Sequence, residues 1–155
     1  MAQTQQELIS LIWTIANLLR GPYRPPQYRK VMLPMTVLRR LDCVLEPSKE
    51  KVLGEYKALK ARKLDDATIE KTIRHKFKLP FFNTSKFTFP KLLGDPDGLA
   101  HNLVAYMKGF SKQARDILAH FEFEQEVERL DKANRLFEVV KKFAAVACIR
   151  TSCPT

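Results

Sequence analysis

Glycine is scarce. The 155 residues hold only 5, scattered at Gly21, Gly54, Gly94, Gly98 and Gly109, so the chain offers no glycine-rich turn of the kind that seats a nucleotide or dinucleotide cofactor, and no P-loop. Cysteine is equally sparse. Cys43, Cys148 and Cys153 are widely spaced and form no Cys-x-x-Cys or Cys/His pattern, which leaves nothing to build a zinc site and fits a reduced cytosolic chain. The three histidines, His75, His101 and His120, fall on separate predicted helices, and no spacing suggests a Ser-His or Cys-His pair. No apolar run approaches the roughly 20 residues that span a bilayer. The residues from Met1 to Gln6 are polar and supply no basic region ahead of an apolar one, so no secretory signal is read there. A soluble, cytoplasmic protein without catalytic or metal-ligating residues is expected.

What is abundant is positive charge. Lys and Arg number 27 against 17 Asp and Glu, a formal net charge of +10, which favours polyanionic partners through the summed field. Nucleic acid is the obvious class, although a solvated basic surface produces the same composition. Hydrophobic residues make up 45% of the chain, enough for one domain with a real core.

Periodicity reads as helix almost throughout. Thr4 and Glu7 have capping-box spacing, and Leu8, Leu11, Ile12, Ile15, Leu18 and Leu19 follow on one broad face that Ile9 and Trp13 widen, until Gly21-Pro22 ends it. Such a helix must be buried on much of its circumference or be covered by a partner chain. A second pattern starts near Tyr28 and meets Pro34, where a kink or break is expected, then resumes over Met35 to Leu45. Lys49 to Arg62 reads as a polar helix, and Asp65-Asp66 opens another carrying Ile69, Ile73 and Phe77. From Leu79 to Pro90 the period is lost. Phe81, Phe82, Phe87 and Phe89 should anchor a loop or small extended element near 81–89 that turns Asn83, Thr84 and Ser85 outward. Further helices are expected over Pro90 to Leu93, around Leu99 to Phe110, after a Ser111 N-cap, through Val127 and Leu130, and after an Asp131 cap. The fold class is all-α, an irregular bundle of roughly eight helices, with residues 1–147 as a single domain and 148–155 as a short atypical tail.

Charge concentrates between residues 57 and 78. Lys57, Lys60, Arg62, Lys63, Lys71, Arg74, Lys76 and Lys78 outnumber Asp65, Asp66 and Glu70, so two adjacent basic helices would present a phosphate-contacting face that is salt-dependent and blind to sequence. Lys86 joins them from the loop. A solvated face is the competing reading of the same charges.

The segment Val37 to Pro47, VLRRLDCVLEP, places Leu38, Leu41 and Leu45 on an apolar stripe and sets Arg39, Arg40, Asp42 and Glu46 off it. Together with LLRG (18–21), FFNTSKFTF (81–89) and RLDKANRLFEVVKKFA (129–144), it resembles the N-terminal helical domain of the modification (M, HsdM) subunit of type I restriction-modification systems, from about Leu8 to Ala144. The resemblance implies a parent that methylates adenine at N6 using S-adenosylmethionine. Its partners would be DNA, a specificity (S) subunit, a second M subunit and a restriction (R) subunit. It also implies that cofactor and catalytic motifs belong to a separate Rossmann-like domain, which this chain does not contain. The expected role is therefore assembly and DNA enclosure, with no catalysis by this chain alone. The alternative is a freestanding basic helical DNA-binding or protein-interaction module. Arg39, Arg40 and Asp42 carry over as a family signature without an assigned role, and internal ion pairing that holds the bundle is the simplest use for them.

Overall fold

The computed structural model describes residues 5–146. Among them nine α-helices follow in order: α1 (Gln5–Leu19), α2 (Arg29–Leu45), α3 (Lys49–Ala61), α4 (Asp66–Phe77), α5 (Phe89–Leu93), α6 (Leu99–Lys108), α7 (Lys112–His120), α8 (Phe123–Lys132) and α9 (Leu136–Ala144). The all-α expectation holds. The small extended element near 81–89 reduces to an isolated bridge between Asn83 and Phe110, and no strand occurs among the described residues.

Two hydrophobic clusters organise these helices. The larger gathers Ile15 and Leu19 of α1, Met35 and Leu38 of α2, Leu103 and Tyr106 of α6, Val127 of α8 and Val140 of α9, among others. The smaller joins Val52 and Leu59 of α3 to Ile69 and Ile73 of α4, with Phe82 inserted from the following loop. The α3–α4 hairpin is thus a lobe with its own core. Apolar residues at i, i+4 and i+8 give α4 only one inner face, and the lobe's basic residues occupy the remaining surface.

Several local expectations change in the structure. Helix α2 runs without a break through Pro34, its sixth residue. The proline removes the hydrogen bond to the Lys30 carbonyl, but Lys30 is exposed and its carbonyl sits in the first turn, where water can replace the donor, while Pro34 itself is buried in the packing. Asp131 does not cap the last helix: it lies inside α8, and α9 begins after Arg135. Ser111 takes the N-cap backbone conformation of α7 but makes no capping hydrogen bond; its hydroxyl instead accepts from the Phe82 N–H at 3.2 Å. Asp42 was placed off the apolar stripe, yet it is only 8% exposed. Cys43, expected as a reduced thiol, is disulfide-bonded. Thr4, and with it the proposed capping box, lies outside the described residues, as does the 148–155 tail.

Helix α1 answers to neither of its two readings fully. Ile15 and Leu19 are buried, whereas Leu8, Ile9, Ile12 and Trp13 are exposed, Trp13 by 65%. Leu103→Ala, at a fully buried position of α6, is therefore expected to cost about 2–5 kcal/mol in denaturant unfolding. Trp13→Ala should change the same measurement by less than about 0.5 kcal/mol.

Candidate nucleic-acid interface

Lys49 opens α3 directly after the 3-10 turn at Glu46–Ser48, and this position carries its side chain under the bundle rather than into solvent. It is 7% exposed. Its ammonium donates to Asn83 Oδ1 at 3.0 Å and lies 5.8 Å from the centroid of the Tyr106 ring. Asn83 in turn donates through Nδ2 to the Tyr106 carbonyl at 2.8 Å, and its Oδ1 also accepts from the Ser85 N–H and hydroxyl at 2.8 and 2.6 Å. The Tyr106 hydroxyl donates to Asp42 Oδ1 at 3.1 Å. The other carboxylate oxygen of Asp42 accepts from Arg39 Nη1 at 2.9 Å, and Arg39 closes the circuit by donating twice to the Val146 carbonyl just past α9, at 3.2 and 2.8 Å. One polar network therefore ties α3 and the 79–88 loop to α6, α2 and the end of α9. Among the described residues no buried side-chain polar atom is left without a partner.

Burial sets the protonation behaviour of this network. Desolvation pushes the Asp42 carboxyl above the usual carboxylate range, against the pull of the Tyr106 hydroxyl, Arg39, the Phe89 N–H and Lys49. It lowers Lys49 to about 8, with Lys91 adding to the effect and Asp42 opposing it. The Tyr106 hydroxyl is driven well above its ordinary value by burial and then by the Asp42 charge. Tyr23, which donates to Glu126 at 2.5 Å, is raised by burial and then by that carboxylate.

The loop expected to show its polar tip outward does the reverse at Asn83, which is 1% exposed. Thr84 donates its N–H to the Gly109 carbonyl and Ser111 donates its own to the Phe82 carbonyl, both at 2.8 Å. The approach is close enough that a Cβ on Gly109 would lie 2.9 Å from both Asn83 Oδ1 and Ser85 Cβ, which explains the glycine there. Only Lys86 of the polar tip is exposed. Phe82 and Phe89 are the true anchors, being almost fully buried.

The basic candidates divide into three groups. Lys60 and Lys76 are committed to acids: Lys60 meets Asp66 at 3.1 Å and Lys76 meets Glu55 at 2.6 Å, the latter bridging α4 to α3. Lys57, Arg62, Lys63, Lys71, Lys78 and Lys86 are exposed, and Arg74 is half-buried. Lys71 and Arg74 recur at i and i+3 on α4, away from the Ile69–Ile73 face. Lys63 and Lys78 have a further property. They follow α3 and α4 with φ of 57° and 53°, a left-handed conformation in which a side chain costs about 1 kcal/mol relative to glycine. Two lysines are thus kept at turn positions that glycine would fill more cheaply.

An apolar patch lies on α1. Leu8, Leu11 and Ile12 of α1 face Met32 and Cys43 of α2 and Phe143 of α9 across an open groove of about 400 Å³. No group of three or more His, Cys, Asp or Glu able to hold a metal occurs among the described residues. Among the described residues no helix is long and apolar enough to cross a membrane. Sequence reasoning missed Lys49 and Tyr106 as members of a joint, because a lysine after Pro-Ser and a tyrosine on an apolar stripe each have a simpler local reading.

Compared with known proteins, the chain matches the family model described as HsdM N-terminal domain over residues 8–143, which spans α1 to α9. No curated protein and no solved structure matches it.

The network makes a distinctive pH profile. Unfolded Lys49 holds its proton up to 10.5 while the folded residue releases it near 8, so the unfolded state binds more protons in that interval and stability should climb with pH. Above about pH 10, Tyr23 and Tyr106 reverse the trend, because only the unfolded phenols ionise there. Denaturant midpoints are expected to rise between about pH 8 and pH 10 and fall beyond it. Lys49→Met should flatten the rise and leave the fall.

Proposed function

This chain belongs to the family of HsdM N-terminal domains, the N-terminal domains of type I restriction-modification methyltransferase subunits, and on that premise we propose that it is an assembly and DNA-embracing domain without catalysis of its own. It works in the context of a type I complex, in which S-adenosylmethionine and the reacting adenine would be held by another domain, and the specificity, second modification and restriction subunits would be its protein partners. The cytoplasm is where such a complex would meet DNA.

The observation that carries the DNA reading is the α3–α4 lobe. Its exposed cations sit on a hairpin with a separate small core, held to the bundle by a fully satisfied polar joint, and two of them occupy backbone positions that disfavour side chains. Cations placed this way neutralise phosphates and read no bases. The exposed apolar residues of α1 supply a second surface for assembly, and it carries a single charged residue, Glu7.

Fluorescence anisotropy with unrelated duplexes is expected to give association constants that fall linearly with salt on logarithmic axes, with one slope for all sequences. Sequence-selective binding by the chain alone at physiological salt would instead favour a freestanding DNA-binding protein. Stoichiometric S-adenosylmethionine binding in calorimetry would contradict the non-catalytic role. Lys63→Gly and Lys78→Gly should each raise unfolding stability by up to about 1 kcal/mol while lowering the salt slope by about one. A gain in stability with an unchanged slope would remove those lysines from the interface.

A further inference from the structure

The charged surface does not stop at the lobe. Between lobe and bundle lies a polar groove of about 200 Å³, bordered by Lys60 of α3, Asp66 and Glu70 of α4, Lys108 at the end of α6 and Arg115 of α7. Both of its carboxylates are engaged. Asp66 is paired with Lys60 at 3.1 Å, and Glu70 accepts the Lys112 backbone N–H at the start of α7, at 3.1 Å. Lys108 and Arg115 are exposed and stand together as a ridge, since both also border the next cleft, over α7 and α8. The turn holding Lys108 is fixed against the loop by the Thr84 N–H, which donates to the Gly109 carbonyl at 2.8 Å. No charge of this ridge lies within the basic run from 57 to 78.

We propose that the DNA phosphate backbone crosses this groove, so that Lys108 and Arg115 contact phosphodiesters continuous with those met by the lobe. The inference rests on the reading that the chain binds DNA and identifies where the track leaves α3 and α4. An acidic groove would repel such a strand; here three cations, Lys60, Lys108 and Arg115, outnumber two carboxylates, Lys60 offsetting Asp66, while Glu70 keeps its charge as it accepts a neutral N–H. Bound DNA would then bridge lobe and bundle across the same joint that Lys49 and Asn83 form beneath the surface.

The test compares the full chain with Lys108→Ala/Arg115→Ala and with the control Lys132→Ala/Lys141→Ala, all checked for fold by circular dichroism. In salt titrations with a nonspecific duplex, the ridge variant should lose about two from the slope of log K against log salt, and the control should lose none. If the parent chain shows no salt-dependent association, the DNA reading itself falls. If the parent binds and the ridge variant keeps the parent slope, this inference alone is overturned. Polyglutamate separates the other polyanion: a ridge variant that loses polyglutamate affinity with an unchanged duplex slope would assign the ridge to an acidic protein segment and overturn the proposal.

Discussion

The hydrogen-bonded chain from Lys49 through Asn83 and Tyr106 to Asp42 and Arg39 is the constraint on which the rest of the structure depends. Helices α3 and α4 share a small core of their own, which meets the larger one at Leu79. The buried lysine and asparagine supply direction where hydrophobic packing supplies only attraction. Arg39 extends the same circuit to the end of α9 and stacks 5.5 Å from the Phe89 ring. Each buried polar atom of the network has a hydrogen-bond partner, but the Lys49 ammonium hydrogen-bonds only to the neutral Asn83, and burial lowers its pKa to about 8.

Two surfaces of opposite character follow from that scaffold. The lobe carries lysines and arginines on its outer face, and α1 carries exposed leucine, isoleucine and tryptophan. Under the proposed role in a complex of the HsdM N-terminal domain family, the basic face would meet phosphates and the apolar one a protein partner.

Much of this was legible in the residues. Periods of 3.6 placed the helices, Gly21 ended the first, and the phenylalanines of 81–89 were correctly read as anchors. VLRRLDCVLEP was expected to hold the bundle, and Arg39 and Asp42 do so, while Arg40 stays exposed. What escaped was tertiary. Asp42 falls off the Leu38–Leu41–Leu45 stripe, yet its partner in space is Tyr106, sixty-four positions away. Asn83 reads as a loop tip and is held instead by the Tyr106 carbonyl, and Ser111, which does occupy the N-cap position of α7, turns its hydroxyl to the Phe82 N–H, a partner that sequence spacing does not reveal. Pro34 was overrated as a breaker because burial of its ring does not appear in propensity. Among the cations, Lys60 and Lys76 looked equivalent to their neighbours until the structure paired them with Asp66 and Glu55.

Hydrogen–deuterium exchange on the intact chain, with and without a saturating nonspecific duplex at low salt, addresses the central claim directly. DNA should slow exchange across α3, α4 and the 79–88 loop, which the polar joint couples, and leave α1 and α9 unchanged. Protection confined to α1, or none in the lobe under conditions where the duplex is bound, would contradict the account.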